Sequence, residues 1–142
     1  MKHGTGTRRG AAVTAVVMGL FGLLTVVGGG SVLLNAGGAR ADAGSIVPVV
    51  LWMNFFAGFL YLVAAAGLFG LKPWTVRVLL VAVVLLVIAV IGFVVHLASG
   101  EAYEQRTAFA LPFRLLVTLF LYAAARYFVR SPATLRAVDR KP

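Results

Sequence analysis

Seven side chains stand out as able to do polar chemistry together: Asn54, His96, Glu101, Tyr103, Glu104, Arg106 and Arg114. Six of them lie in one stretch, HLASGEAYEQRTAFALPFR (residues 96–114), which also holds two of the four acidic residues of the protein. An arginine presents a planar fork of donors that matches a carboxylate or a phosphate. One expectation is therefore a structural clamp, with Arg114 tied to Glu101 or Glu104, Asn54 hydrogen-bonded between helices and His96 capping its own helix. A second is an outward-facing pocket in which Arg114 holds the carboxylate or phosphate of a small ligand. A third is a docking surface for a larger membrane partner. His96 with Glu101 or Glu104 also makes an N/O donor set for a metal. That set gives at most three ligands without diagnostic spacing, so neither metal nor cofactor is assigned.

These groups need elements to position them, and composition says what the elements are. Of 142 residues, 61% are hydrophobic and only 12% charged, about half the charged fraction of a soluble domain. Lipid must then be the solvent for most of the chain. No cysteine is present, which excludes disulfides, thiolate metal sites and dithiol redox chemistry. The formal net charge of +9 would suggest nucleic acid in a soluble protein. Here the charges sit at the ends of apolar runs, so anionic lipid head groups at the basic termini are the expected partner, and nucleic acid is not.

Four runs are long enough to cross a bilayer, about 11–34, 47–71, 78–98 and 109–128, since a crossing helix needs roughly 20 apolar residues. Lipid forces each backbone to satisfy its own hydrogen bonds, which selects helices. The fold class is all-α, a polytopic four-helix up-down bundle over residues 11–128, between a basic N-terminus (1–10) and a basic tail (129–142). Lys72-Pro73-Trp74-Thr75 reads as a tight turn, because proline cannot continue a helix. Trp52, Trp74 and Tyr127 read as interfacial anchors. The Gly- and Ala-rich segment 35–45 reads as a mobile connection, and the tail 131–142 as lying along the inner membrane surface.

Lysine and arginine give the threading. Lys2, Arg8, Arg9, Lys72, Arg77, Arg126, Arg130, Arg136, Arg140 and Lys141 group on one side, against Arg40 and Arg106 on the other. The positive-inside bias then puts both termini in the cytoplasm and connections 35–46 and 99–108 outside. A rival exists at the start. TRRGAAV resembles a twin-arginine signal, and ARADA offers small residues at cleavage-like spacing. A signal peptide has an apolar region of about 7–15 residues, whereas this run has about 24, so an uncleaved first helix is expected. By this threading Asn54 lies roughly 10 Å and Arg114 roughly 7 Å below the outer helix ends, at about 1.5 Å per residue.

Stripes of small or polar residues recur at helical spacing, as on helix faces that pack against protein and not lipid. They are Ala11, Ala15, Gly19 and Gly22; then Asn54, Gly58, Tyr61 and Ala65; then Ala82, Ala89, Gly92 and His96; then Arg114, Thr118, Tyr122 and Ala125. Several chemistries find no support. The two histidines lie at opposite ends of the threading, against bis-histidine haem. There is no nucleophile elbow and no Walker loop. Small multidrug exporters share the four helices but need a carboxylate within a span, and these spans have none.

The string HLASGEAYEQRT with a following arginine resembles the pattern of a family of small four-helix bacterial integral membrane proteins without assigned activity. That pattern reads His, three residues, Gly, two residues, Tyr-Glu, one residue, Arg-Thr, then Arg. The matching residues are His96, Gly100, Tyr103, Glu104, Arg106, Thr107 and Arg114, and the Asn54-centred helix LWMNFFAGFLYLVAAAGL belongs to the same pattern. The resemblance covers the last three spans and implies a bacterial inner-membrane protein whose polar cluster matters. With no catalytic residues apparent, the first functional expectation is a non-enzymatic accessory or regulatory subunit, bound to another membrane protein or to a second copy of itself. The alternative is a small transporter or ligand-binding protein whose site is the polar cluster.

Overall fold

Proline, glycine and asparagine cut the chain into long helices. The computed structural model describes residues 3–130. Helix α1 spans His3–Leu33, followed by a 3-10 turn (Ala36–Gly38) and the short α2 (Ala39–Asp42). Helix α3 spans Pro48–Phe69, α4 Trp74–Ala98 and α5 Gln105–Val129. Pro48 sits in the first turn of α3, where its missing N–H is not needed. Asn35 (φ 52°) and Gly100 (φ 72°) take left-handed conformations just past α1 and α4, the usual way a helix is stopped. Four helices are long and apolar enough to cross a membrane: Gly6–Leu33, Pro48–Phe69, Trp74–Ala98 and Gln105–Val129. Even the 22 residues of α3 extend roughly 33 Å, against a hydrocarbon core of about 30 Å.

Three expectations change in detail. Helices α4 and α5 each begin four residues earlier than hydropathy indicates, at Trp74 and Gln105 instead of 78 and 109. Their polar first turns contain good helix formers such as Arg77, Gln105 and Arg106, which hydropathy cannot credit. The turn before α4 is thereby shortened to residues 70–73. The segment 35–46 is more structured than its composition suggests, holding the 3-10 turn and α2, with the Arg40 backbone N–H donating to Asn35 Oδ1 (3.2 Å). Lys2 and the tail beyond Arg130, with Arg136, Arg140 and Lys141, lie outside the described residues.

The four long helices form a closed ring, α1 on α3, α3 on α4, α4 on α5 and α5 back on α1. Neighbours run antiparallel. Gly19 faces Ala65 while Gly29 faces Phe55, and Gly10 at the start of α1 meets Phe128 at the end of α5. Arg8, Arg9, Lys72, Arg77, Arg126 and Arg130 therefore gather at one end of the bundle, and Arg40, Asp42, Glu101, Glu104 and Arg106 at the other. The buried residues of α1 are Ala11, Ala15, Met18, Gly22 and Thr25, and those of α4 are Thr75, Leu79, Ala82, Leu86, Ala89 and Phe93. Both series alternate steps of four and three, the spacing of helices packed side by side. Outside the ring the surface is apolar: Leu24, Ile91, Val95, Phe109 and Phe120 are each more than half exposed. In water that would be an aggregation surface; in lipid it is the solvated face.

Candidate functional site

At the end of the bundle where α1 finishes and α3 and α5 begin, a cavity of about 210 Å³ opens. Its polar lining is Asn54 on α3 and Arg106, Thr107 and Arg114 on α5. Val32 of α1, Val47 and Val50, Leu51 and Leu111 supply most of the apolar wall. No residue of α4 lines it. Helix α5 also carries Pro112 in its interior, which removes the hydrogen bond that the Ala108 carbonyl would otherwise accept and loosens the helix beside the cavity.

Arg114 does not pair with Glu101 or Glu104. Its Nη1 donates to Thr25 Oγ1 on α1 (3.2 Å), and its guanidinium carbon lies 6.0 Å from the centre of the Phe21 ring. The reason is depth. Arg114 is nine residues beyond Gln105, where α5 starts, roughly 13 Å into the helix at about 1.5 Å per residue. The expectation placed it at about half that depth, so the loop glutamates are too far up the bundle to reach it. A guanidinium carries five N–H donors. Among the described residues, this one has a single hydrogen bond and no carboxylate partner.

A small network holds Arg114 from below. Thr118 Oγ1 donates to the Arg114 carbonyl (2.6 Å), which commits its only proton. Tyr61 on α3 must then be the donor in its 2.5 Å contact with Thr118 Oγ1. The Tyr61 ring in turn meets Phe21, centroids 5.3 Å apart and tilted by 53°. Helices α1, α3 and α5 are thus joined around one arginine whose remaining donors have no carboxylate to neutralise them.

Asn54 departs from expectation too. Its Oδ1 is buried and has no hydrogen-bond partner, so it is not the cross-helix tie that was expected. It stands on the wall of the cavity. Arg106, exposed at the mouth, makes no ion pair among the described residues.

The other four candidates stay outside. His96 Nδ1 meets Glu101 Oε2 at 3.2 Å and Nε2 meets the Ala102 carbonyl at 3.1 Å. Both ring nitrogens face oxygen atoms of the following loop. His96 is thus a clasp on the following loop and more than a cap of its own helix. Tyr103 packs edge-on to Phe93, centroids 5.8 Å apart. Glu104 precedes α5, and its Oε2 lies 2.5 Å from where a Cβ on Gly44 would be. Glycine suits that position because its φ of 68° lies in the left-handed region, whereas the flexible Glu104 carboxylate could swing away from a Cβ. The single cluster read from the sequence therefore splits in two, because α4, which carries His96 and Phe93, takes no part in the cavity. Among the described residues no three His, Asp or Glu side chains come together for a metal.

Thr25 and Phe21 were missed by sequence reasoning, and Thr107 entered it only through the family resemblance. Thr25 had a signal: it continues the buried series Ala11, Ala15, Met18, Gly22 at the next helical step, as a hydroxyl in an aliphatic run. Phe21 had none. No protein-family profile, curated protein or solved structure matches this chain.

Proposed function

We propose that this is a ligand-binding membrane protein whose cavity takes a small anion. The observation that carries the proposal is Arg114, a cation deep in a membrane-length helix, bordering a cavity, with no carboxylate on it among the described residues. An arginine at such depth costs about 2.5–3.5 kcal/mol on insertion scales, and intramembrane charges are ordinarily paired. A clamp would pair it internally with a glutamate. A bound oxyanion would pair it from outside and engage Arg106, the Thr107 hydroxyl and the exposed part of the Asn54 amide as well. An accessory subunit could be built without such a cavity, so the ligand-binding alternative is the better account of this geometry.

The distribution of lysine and arginine supports an orientation with both termini cytoplasmic and the cavity at the outer face of the membrane. A cavity at one end of the bundle, lined by α1, α3 and α5 and not by α4, suits binding better than passage. Thermal unfolding of the purified full chain tests the proposal. A ligand that binds only the folded state raises the midpoint. Phosphate, acetate or butyrate should raise it in the native protein, beyond chloride at the same ionic strength, and not in Arg114→Gln. An unchanged midpoint with all three anions contradicts the proposal.

A further inference from the structure

The wall of the cavity is divided in a way that a simple anion does not use. Arg106, Thr107, Arg114 and Asn54 give it a polar side, and Val32, Val50, Leu51 and Leu111 among others an aliphatic one. An inorganic anion would meet the first and leave the second facing water. At about 210 Å³ the space is also smaller than the roughly 300–1,000 Å³ that drug-sized ligands occupy, so it fits a head group and a few methylenes and no larger molecule. The seam between α1 and α5 is the thinnest of the four in the ring, and both of its helices line the cavity through Val32 and Leu111. Beyond that seam the outer surface is aliphatic and aromatic, with Leu24, Phe109 and Phe113 exposed.

Resting on the reading of the cavity as an anion site, we infer that its ligand is an amphiphile: a carboxylate or phosphate on an alkyl chain, the head on Arg114 and Arg106, the chain against the aliphatic wall and leaving along the α1–α5 seam. A free fatty acid and an anionic lipid both present this chemistry. The wall supplies what the arginines cannot, a preference that grows with chain length. It grows only until the enclosed space is filled, after which further methylenes lie in lipid either way.

The test is a binding titration on the full chain in nanodiscs of zwitterionic lipid. The probes are acetate, butyrate, hexanoate, octanoate, inorganic phosphate and the alcohols of matching length. Affinity should rise by about fourfold for each methylene buried in the cavity, then level off. Each acid should bind at least about tenfold tighter than its alcohol. Arg114→Gln should remove that acid preference while keeping the dependence on chain length; Arg106→Gln should weaken it in the same sense and stands in if the first variant fails to fold. If acetate and phosphate bind as tightly as octanoate, the amphiphile is wrong and the anion site survives. If no acid is preferred over its alcohol, both fall. Repeating the titration in nanodiscs containing phosphatidylglycerol separates the sources: suppressed acid binding identifies a lipid head group as the occupant, and undiminished binding identifies the free acid.

Discussion

Arg114 shows how residue-scale contacts can be read as energies. One hydrogen bond to the neutral Thr25 hydroxyl and a ring face at 6.0 Å are modest compensation for a guanidinium in a span. A cation–π contact adds about 0.5–2 kcal/mol. Bidentate, charge-assisted contacts with an oxyanion are stronger, which is why Arg114→Gln should lower anion affinity by roughly 10- to 150-fold, the equivalent of a charged hydrogen bond of about 1.5–3 kcal/mol. Isothermal titration measures it. Tyr61→Phe removes only the bond to Thr118, which keeps the Arg114 carbonyl as its acceptor. That variant should unfold about 0.6 kcal/mol more easily and by no more than about 1.7, read by thermal or detergent-induced unfolding. His96→Gln alters a contact with a glutamate that is 65% exposed, so its cost should stay within about 1 kcal/mol; amide exchange should accelerate at 99–104 and nowhere else. Residue types were legible in the sequence, and pairings were not. Linear proximity put Glu101 and Glu104 with Arg114, but α5 begins at Gln105 and carries Arg114 away from them by more than two turns.

Helices were the most legible scale. Four long apolar runs, punctuated by Pro48, Pro73 and Gly100, gave the spans and their order to within a few residues, except that α1 begins at His3 and so takes up the basic segment expected to precede it. The stripes of small residues located the seams, because only glycine permits the approach of α1 and α3 at Gly22 and Gly58. A Cβ at Gly22 would fall 2.9 Å from the Gly58 carbonyl oxygen, and one at Gly58 would fall 2.8 Å from Val26 Cγ2. Gly22→Ala and Gly58→Ala should each destabilise the bundle by roughly 1–3 kcal/mol. The double variant should depart from the sum, since the two sites face each other. Gly28, on the same helix with nothing within 4 Å of its would-be Cβ, is the control: Gly28→Ala should be neutral or stabilising by up to about 1 kcal/mol. What periodicity could not supply was which stripe faces which. Helix α4 bears His96 at the right height and still misses the cavity, because ring order around the bundle is set by contacts between surfaces that leave no mark on hydropathy alone.

At the scale of the whole molecule, the described charged residues other than Arg114 sort to the two ends of a bundle whose flanks are apolar, and the proposed orientation rests on their count under the positive-inside rule. The chain has no cysteine, so single introduced thiols report cleanly. Tyr103→Cys should react with a membrane-impermeant maleimide added outside intact cells, and Lys72→Cys only after lysis; the reverse pattern would put the cavity on the cytoplasmic side. Helix α1 matters to the site as well as to the threading, because it contributes Thr25, Phe21 and Val32, so loss of residues 1–43 by signal cleavage would dismantle the support of Arg114. The central claim is that an oxyanion completes this arginine. Anomalous diffraction from crystals grown with a bromine-labelled hexanoate tests it most directly. The account predicts a bromine peak along the aliphatic wall, with the carboxylate on Arg114 beside Asn54 and the Thr25 bond intact. Arg114 turned onto Glu101 or Glu104, with the label elsewhere on the bundle, would contradict it.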